Sequence, residues 1–126
     1  MTREQSIALV EQFLSAVNAN DGAGVETCLH EDVVHETGLG QREFGSEAFR
    51  RSIVLRQAAT GEQIGDLVVM ASDDGTRAAA EFTRRGRENA AAGDPGKRYS
   101  VPGGMFFAIE DGKIIRVSQY GSNQVR

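Results

Sequence analysis

Tryptophan is missing from this chain, cysteine occurs once, and histidine and proline occur only twice each. With Cys28 alone, an internal disulfide is excluded, and its thiol reads as a small buried apolar group. The two histidines, His30 and His35, stand five residues apart with a strand read across 33–37, so the helical spacing of a zinc motif fails and no metal site is expected. Basic residues are the minority: 14 Lys and Arg against 18 Asp and Glu leave a net charge of −4, which argues against nucleic acid as a partner. No apolar run approaches the roughly 20 residues of a membrane span. Met1-Thr2-Arg3-Glu4-Gln5 passes directly into an amphipathic pattern without the apolar stretch of a secretory signal, so the expected location is cytoplasmic. Gly38-x-Gly40 followed by Gly45 lacks the spacing of a dinucleotide fingerprint, and no cofactor is expected.

What is present suits one domain over residues 1–126, long enough to hide roughly two-thirds of its unfolded surface in a core. Thr2-x-x-Gln5 has the form of a capping box, and Ile7, Val10, Phe13, Leu14 and Val17 follow at helical spacing. Asp21 is placed to cap a short second helix through Cys28-Leu29, with His30 closing it. From Glu31 the period changes to two: Val33, His35 and Thr37 alternate with Asp32, Val34 and Glu36, as in a strand. A short strand over 42–44, a third helix capped at Gly45-Ser46 and ending before Thr60-Gly61, and strands over 64–71, 77–87, 99–109 and 113–120 complete the order. The stretch 89–96, rich in Ala and Gly, reads as the end of a long hairpin, with a lid as the alternative. Arg84, Arg85, Arg87, Lys97 and Arg98 read as the solvated end of that hairpin.

About three helices, mostly N-terminal, and a long meander predict an α+β fold: a cone-shaped roll in which a curved, mostly antiparallel sheet wraps around the helices. Phe106 and Phe107 are neighbours in one strand and must point to opposite faces, so both faces need cover. Helices shelter only one, and a homodimer through the outer face is expected to shelter the other. Glu36 is expected on that outer face or in solvent, with a salt bridge across the dimer as its favoured role. Glu81, mid-strand between Ala80 and Phe82, is either paired with Arg56, Arg77 or Arg84 or functional, and an ion pair is the favoured reading. Tyr99 and Tyr120 read as pocket hydroxyls or interface aromatics.

Phe13-Leu14-Ser15-Ala16-Val17-Asn18-Ala19-Asn20-Asp21, His30-Glu31-Asp32-Val33-Val34, Gly45-Ser46-Glu47-Ala48-Phe49-Arg50, Tyr99-Ser100-Val101-Pro102, Phe106-Phe107 and Glu110-Asp111-Gly112-Lys113-Ile114 together resemble the nuclear transport factor 2-like superfamily. That superfamily includes ketosteroid isomerases and SnoaL-like polyketide cyclases. The resemblance runs over nearly the whole chain and implies a cystatin-like roll with a cavity for a small apolar or polyketide-like compound. It also implies positions for an isomerase's working groups, an Asp base and an oxyanion hole made of a Tyr and a protonated Asp. Those positions fall on Thr37, Phe13 and Gly104, none of which carries the required group. A preorganised oxyanion donor alone is worth roughly 3–4 kcal/mol of barrier, so a steroid isomerase of the familiar design is not expected. The cavity is expected to be lined by Phe13, Thr37, Ile53, Glu81, Phe82, Gly104, Phe106, Val117 and Gln119. His35, on the face of Thr37, is the candidate general base of an isomerisation, cyclisation or dehydration. The alternative is a noncatalytic ligand-binding or dimerisation module.

Overall fold

The structure, a computed structural model, describes residues 1–37, 40–88 and 96–121. Thr2 accepts from the Gln5 backbone while the Gln5 side chain accepts from the Thr2 backbone, and this closed capping box starts α1 (Arg3–Asn18). Its inward stripe of Val10, Phe13 and Leu14 is buried. Two polar side chains dock α1 at its ends. The Ser6 hydroxyl donates to Gly75 O over 2.6 Å, and Asn18 both donates to Ile64 O and accepts from Ile64 N. Gly75 has no room for a side chain, because a Cβ there would lie 2.7 Å from Met1 O.

Asp21 accepts from Gly24 N and caps α2 (Gly22–Cys28). His30 was expected to close this helix. It is instead the second residue of β1 (Leu29–Thr37), where its Nδ1 accepts from Asp32 N. The helix stops earlier because Leu29 is extended and buried, drawn into pairing with the last strand. After β2 (Arg42–Phe44), Gly45 occupies the cap position of α3 (Ser46–Thr60) with a positive φ of 97° and makes no side-chain cap bond. Gly61, left-handed at φ 61°, ends α3.

The strands β3 (Gln63–Ala71), β4 (Arg77–Glu88), β5 (Lys97–Glu110) and β6 (Lys113–Gly121) form an antiparallel meander. In the β3–β4 turn, Asp74 accepts from the Thr76 backbone and hydroxyl and from Ser72, which holds its carboxyl down at about 2. The six-stranded sheet has the order β2-β1-β6-β5-β4-β3, with β1 parallel to β6 and every other pair antiparallel. Helix α3 touches both β1 and β4, which lie three strand spacings apart, roughly 14 Å on a flat sheet. A helix about 10 Å across reaches both only because the sheet bends around it. The α+β roll expected from the sequence is therefore the fold, with one parallel pair added. Much of the expected 89–96 loop, and Gly38, lie outside the described residues.

Alternation divides most of the sheet, interrupted where the β5–β6 register shifts and Phe107, Ala108 and Ile109 are buried in succession. Ala78, Ala80, Phe82, Met105, Phe107 and Val117 are buried on the inner face against α1 and α3. The outer face carries Val68, Met70, Phe106 and Tyr120, each more than half exposed, and Phe106 meets Tyr120 edge to face. Glu36 stands on this outer side, bound by Arg42 and Arg116 of its own chain. Burial pushes its carboxyl up, but Arg116 and Arg42 together hold it below the usual range.

Candidate functional site

His35 and Glu43 are directly opposed in the β1–β2 pair, so their side chains share a face. The His35 Nδ1 lies 3.5 Å from Glu43 Oε1, and Glu43 Oε2 accepts from the Ser52 hydroxyl of α3 over 2.6 Å. On the other flank His35 is level with Val117 of β6, and Gln119, two residues on, brings Oε1 to 3.2 Å from Nε2. Phe49 of α3 stacks flat on the imidazole, with centroids 4.3 Å apart and planes 6° from parallel. Two neighbouring strands and one helix thus fix the ring in position and plane, and its side chain is 13% exposed.

The ring lines a hollow of ≈ 90 Å³, room for several water molecules at roughly 10–15 Å³ each. Phe49, Ile53, Ile64 and Met105 supply apolar wall, and Gln119 and Ser52 stand beside His35. A second polar group belongs to the same hollow. Glu62, just past the end of α3, offers one oxygen to Tyr99 Oη at 2.6 Å, Arg84 at 3.4 Å and Arg56 at 3.6 Å. The Arg84 side chain is only 4% exposed and Glu62 12%. Burial, with the Glu62 carboxylate beside it, pushes the Tyr99 hydroxyl up. Behind His35 a separate open groove of ≈ 510 Å³ is bounded by Thr37, Gln41, Arg42 and Glu43, and His35 and Ser52 border both spaces. Two buried side-chain oxygens here, Thr37 Oγ1 and Glu43 Oε1, make no hydrogen bond.

The structure brings His35, Ile53 and Gln119 together in the hollow and places the other expected wall residues elsewhere. Phe13, Phe82 and Val117 belong to the solid core, at 0%, 3% and 0% exposure; Phe13 packs on Phe49 and on Phe107. Phe106 and Gly104 sit on the outer face, where strand parity puts them once Met105 and Phe107 point inward. Glu81 is exposed and paired in register with Val68, on the solvent side of β4. Thr37 lines the neighbouring open groove rather than the hollow. Arg84, expected on a solvated hairpin end, is buried, because it continues the inward series Ala78, Ala80, Phe82. That series was the available signal for it. Glu43, Ser52 and Glu62 had none, since their roles depend on contacts across strands and helices.

Cys28 is buried, and burial pushes its thiol up, away from the reactive thiolate. Among the described residues no three His, Cys, Asp or Glu side chains cluster to hold a metal ion. Nor is any described helix long and apolar enough to cross a membrane.

The profile of the SnoaL-like domain matches residues 10–117. No curated protein matches the chain in sequence. Among solved structures, a candidate polyketide cyclase of Xanthomonas campestris pv. campestris is 35% identical, with a TM-score of 0.87 over 95% of this chain and 92% of its own. A candidate polyketide cyclase of Pseudomonas putida KT2440 is 36% identical, with a TM-score of 0.84 over 98% and 93%. A protein of unknown function with a cystatin-like fold from Methylobium petroleophilum PM1, 14% identical, superposes with a TM-score of 0.78 over 100% and 81% and shares the fold alone.

Proposed function

The chain belongs to the SnoaL-like domain family, and from that premise we propose that it binds a small, mainly apolar carbonyl compound in the hollow and moves a proton on it, with His35 as acceptor. One observation carries the reading: the imidazole is the polar group at this wall held from three elements, with Nε2 beside Gln119, which lines the same hollow. Positioning of this kind is what a general base requires, and such a base contributes roughly 10²–10⁴-fold in rate. At another part of the wall the guanidinium groups of Arg84 and Arg56 share the single Glu62 carboxylate, and two cations against one anion favour an oxygen gaining negative charge during enolisation. The candidate polyketide cyclases among its structural relatives are in keeping with an isomerisation or cyclisation of this sort.

A second reading has an observation of its own. The positions at which the isomerase resemblance places its base and oxyanion donors carry Thr37, Phe13 and Gly104, and none of the three lines the hollow. That favours a noncatalytic binding module. In either case we infer a homodimer through the outer face, because Val68, Met70, Phe106 and Tyr120 form exposed apolar surface there. Amide chemical-shift mapping with cyclohexanone as probe tests the shared premise of both readings. Shifts centred on Ile53, Met105 and Gln119 are expected, and shifts confined to the outer face would overturn the hollow as the binding site.

A further inference from the structure

An imidazole has two nitrogens, and which one is free to accept a proton is set by the hydrogen bond that the other makes. In His35 the two face different surroundings. Nε2 meets Gln119 in the hollow, whereas Nδ1 points to Glu43, which borders the neighbouring groove and not the hollow. Gln119 imposes no tautomer of its own: with Oε1 toward the ring, at 3.2 Å, it accepts from Nε2–H, and with the amide turned over its NH₂ donates to a bare Nε2. Glu43 does impose one: an ionised carboxylate only accepts, so the nitrogen facing it must carry hydrogen.

Three features suit Glu43 to this task. Cross-strand register sets it opposite His35, and Ser52 occupies Oε2 and turns Oε1 toward the ring. Oε1 is also buried without a hydrogen bond, and the His35 Nδ1 lies 3.5 Å from it. An acceptor buried without a donor is costly, so protonation at Nδ1 is the state that satisfies it. We propose that Glu43, steadied by Ser52, is a positioning residue that holds His35 as the Nδ1–H tautomer and so leaves the Nε2 lone pair facing the hollow. The inference rests on the proposed role of His35 for its functional meaning, but its geometry stands without any ligand.

The test is ¹⁵N NMR of histidine-labelled protein without ligand, at about pH 8.5, two units above the ordinary histidine value. Wild-type His35 is expected as the Nδ1–H tautomer. Glu43→Gln, whose amide can turn either its oxygen or its NH₂ toward Nδ1, is expected to weaken the preference, and Glu43→Leu moves the ring to Nε2–H, donating to Gln119. Gln119→Leu leaves the Nδ1–H form in place. Should Glu43→Leu fail to fold, Ser52→Ala provides the gentler perturbation and is expected to raise the Nε2–H share. A wild-type ring protonated at Nε2, or a tautomer indifferent to both Glu43→Leu and Ser52→Ala, would overturn the proposal. If the tautomer behaves as expected while removal of His35 leaves turnover intact, the catalytic reading alone fails.

Discussion

Followed along the inner face, β6 passes from one kind of interior to another within a few residues. Ile114 and Val117 are fully buried, and Val117 lies level with Phe107 in a tightly filled aromatic core with Phe13. Gln119, two residues further on, faces open space and a histidine. The same alternation produces both regions, so the sheet itself does not distinguish them. The difference comes from what stands opposite: at one end Phe13 of α1 fills the space, while at the other Phe49 and Ile53 of α3 stand as walls of the hollow. Packing stability is concentrated in the first region, and unspent polar groups in the second.

That contrast can be broken by truncating one residue from each region. Phe107→Ala is expected to cost about 3–5 kcal/mol, since a fully buried ring leaves a cavity its neighbours cannot fill. Gln119→Ala, on the adjoining strand, is expected to cost about 1 kcal/mol, the worth of one ordinary hydrogen bond. Urea unfolding of both variants checks the pair, and similar losses would mean that the hollow is as tightly packed as the core. The outer face sharpens the comparison at the smallest scale. Phe106→Arg is expected to change monomer stability by no more than about 0.5 kcal/mol, because its ring is exposed. Sedimentation should nonetheless show the variant as a monomer where the wild type is a dimer, and a wild type that is itself monomeric at micromolar concentration would remove the dimer proposal.

These regions also explain what could be read from the residues in order. Helix caps and turns are local, and Thr2-x-x-Gln5, Asp21 and Asp73-Asp74-Gly75 announced their elements correctly. Strand parity groups His35 with Thr37 and Gln119 with Val117, yet it says only that neighbours part company and not which goes inward. Phe106 and Phe107 part in this way with Phe107 the inner residue, and Glu81 and Phe82 cannot line one wall because adjacent strand residues face opposite ways. Hydrophobicity gave no means of separating a cavity wall from solid core, which is why Phe13 and Val117 were misplaced. Glu62 joins Arg84 and Tyr99 across 22 and 37 residues, and the pairing exists only once α3 and the hairpin have docked.

The central claim, that the hollow works through His35, is tested most directly by proton exchange at carbon. Wild type and His35→Gln would be incubated with cyclohexanone in D₂O, and deuterium incorporation beside the carbonyl followed by proton NMR. The wild type is expected to accelerate incorporation, and His35→Gln to lose roughly 10²–10⁴-fold of that acceleration while still binding the ketone. Equal rates in the two proteins, or a ketone that binds the hollow of the wild type without exchanging above background, would contradict it.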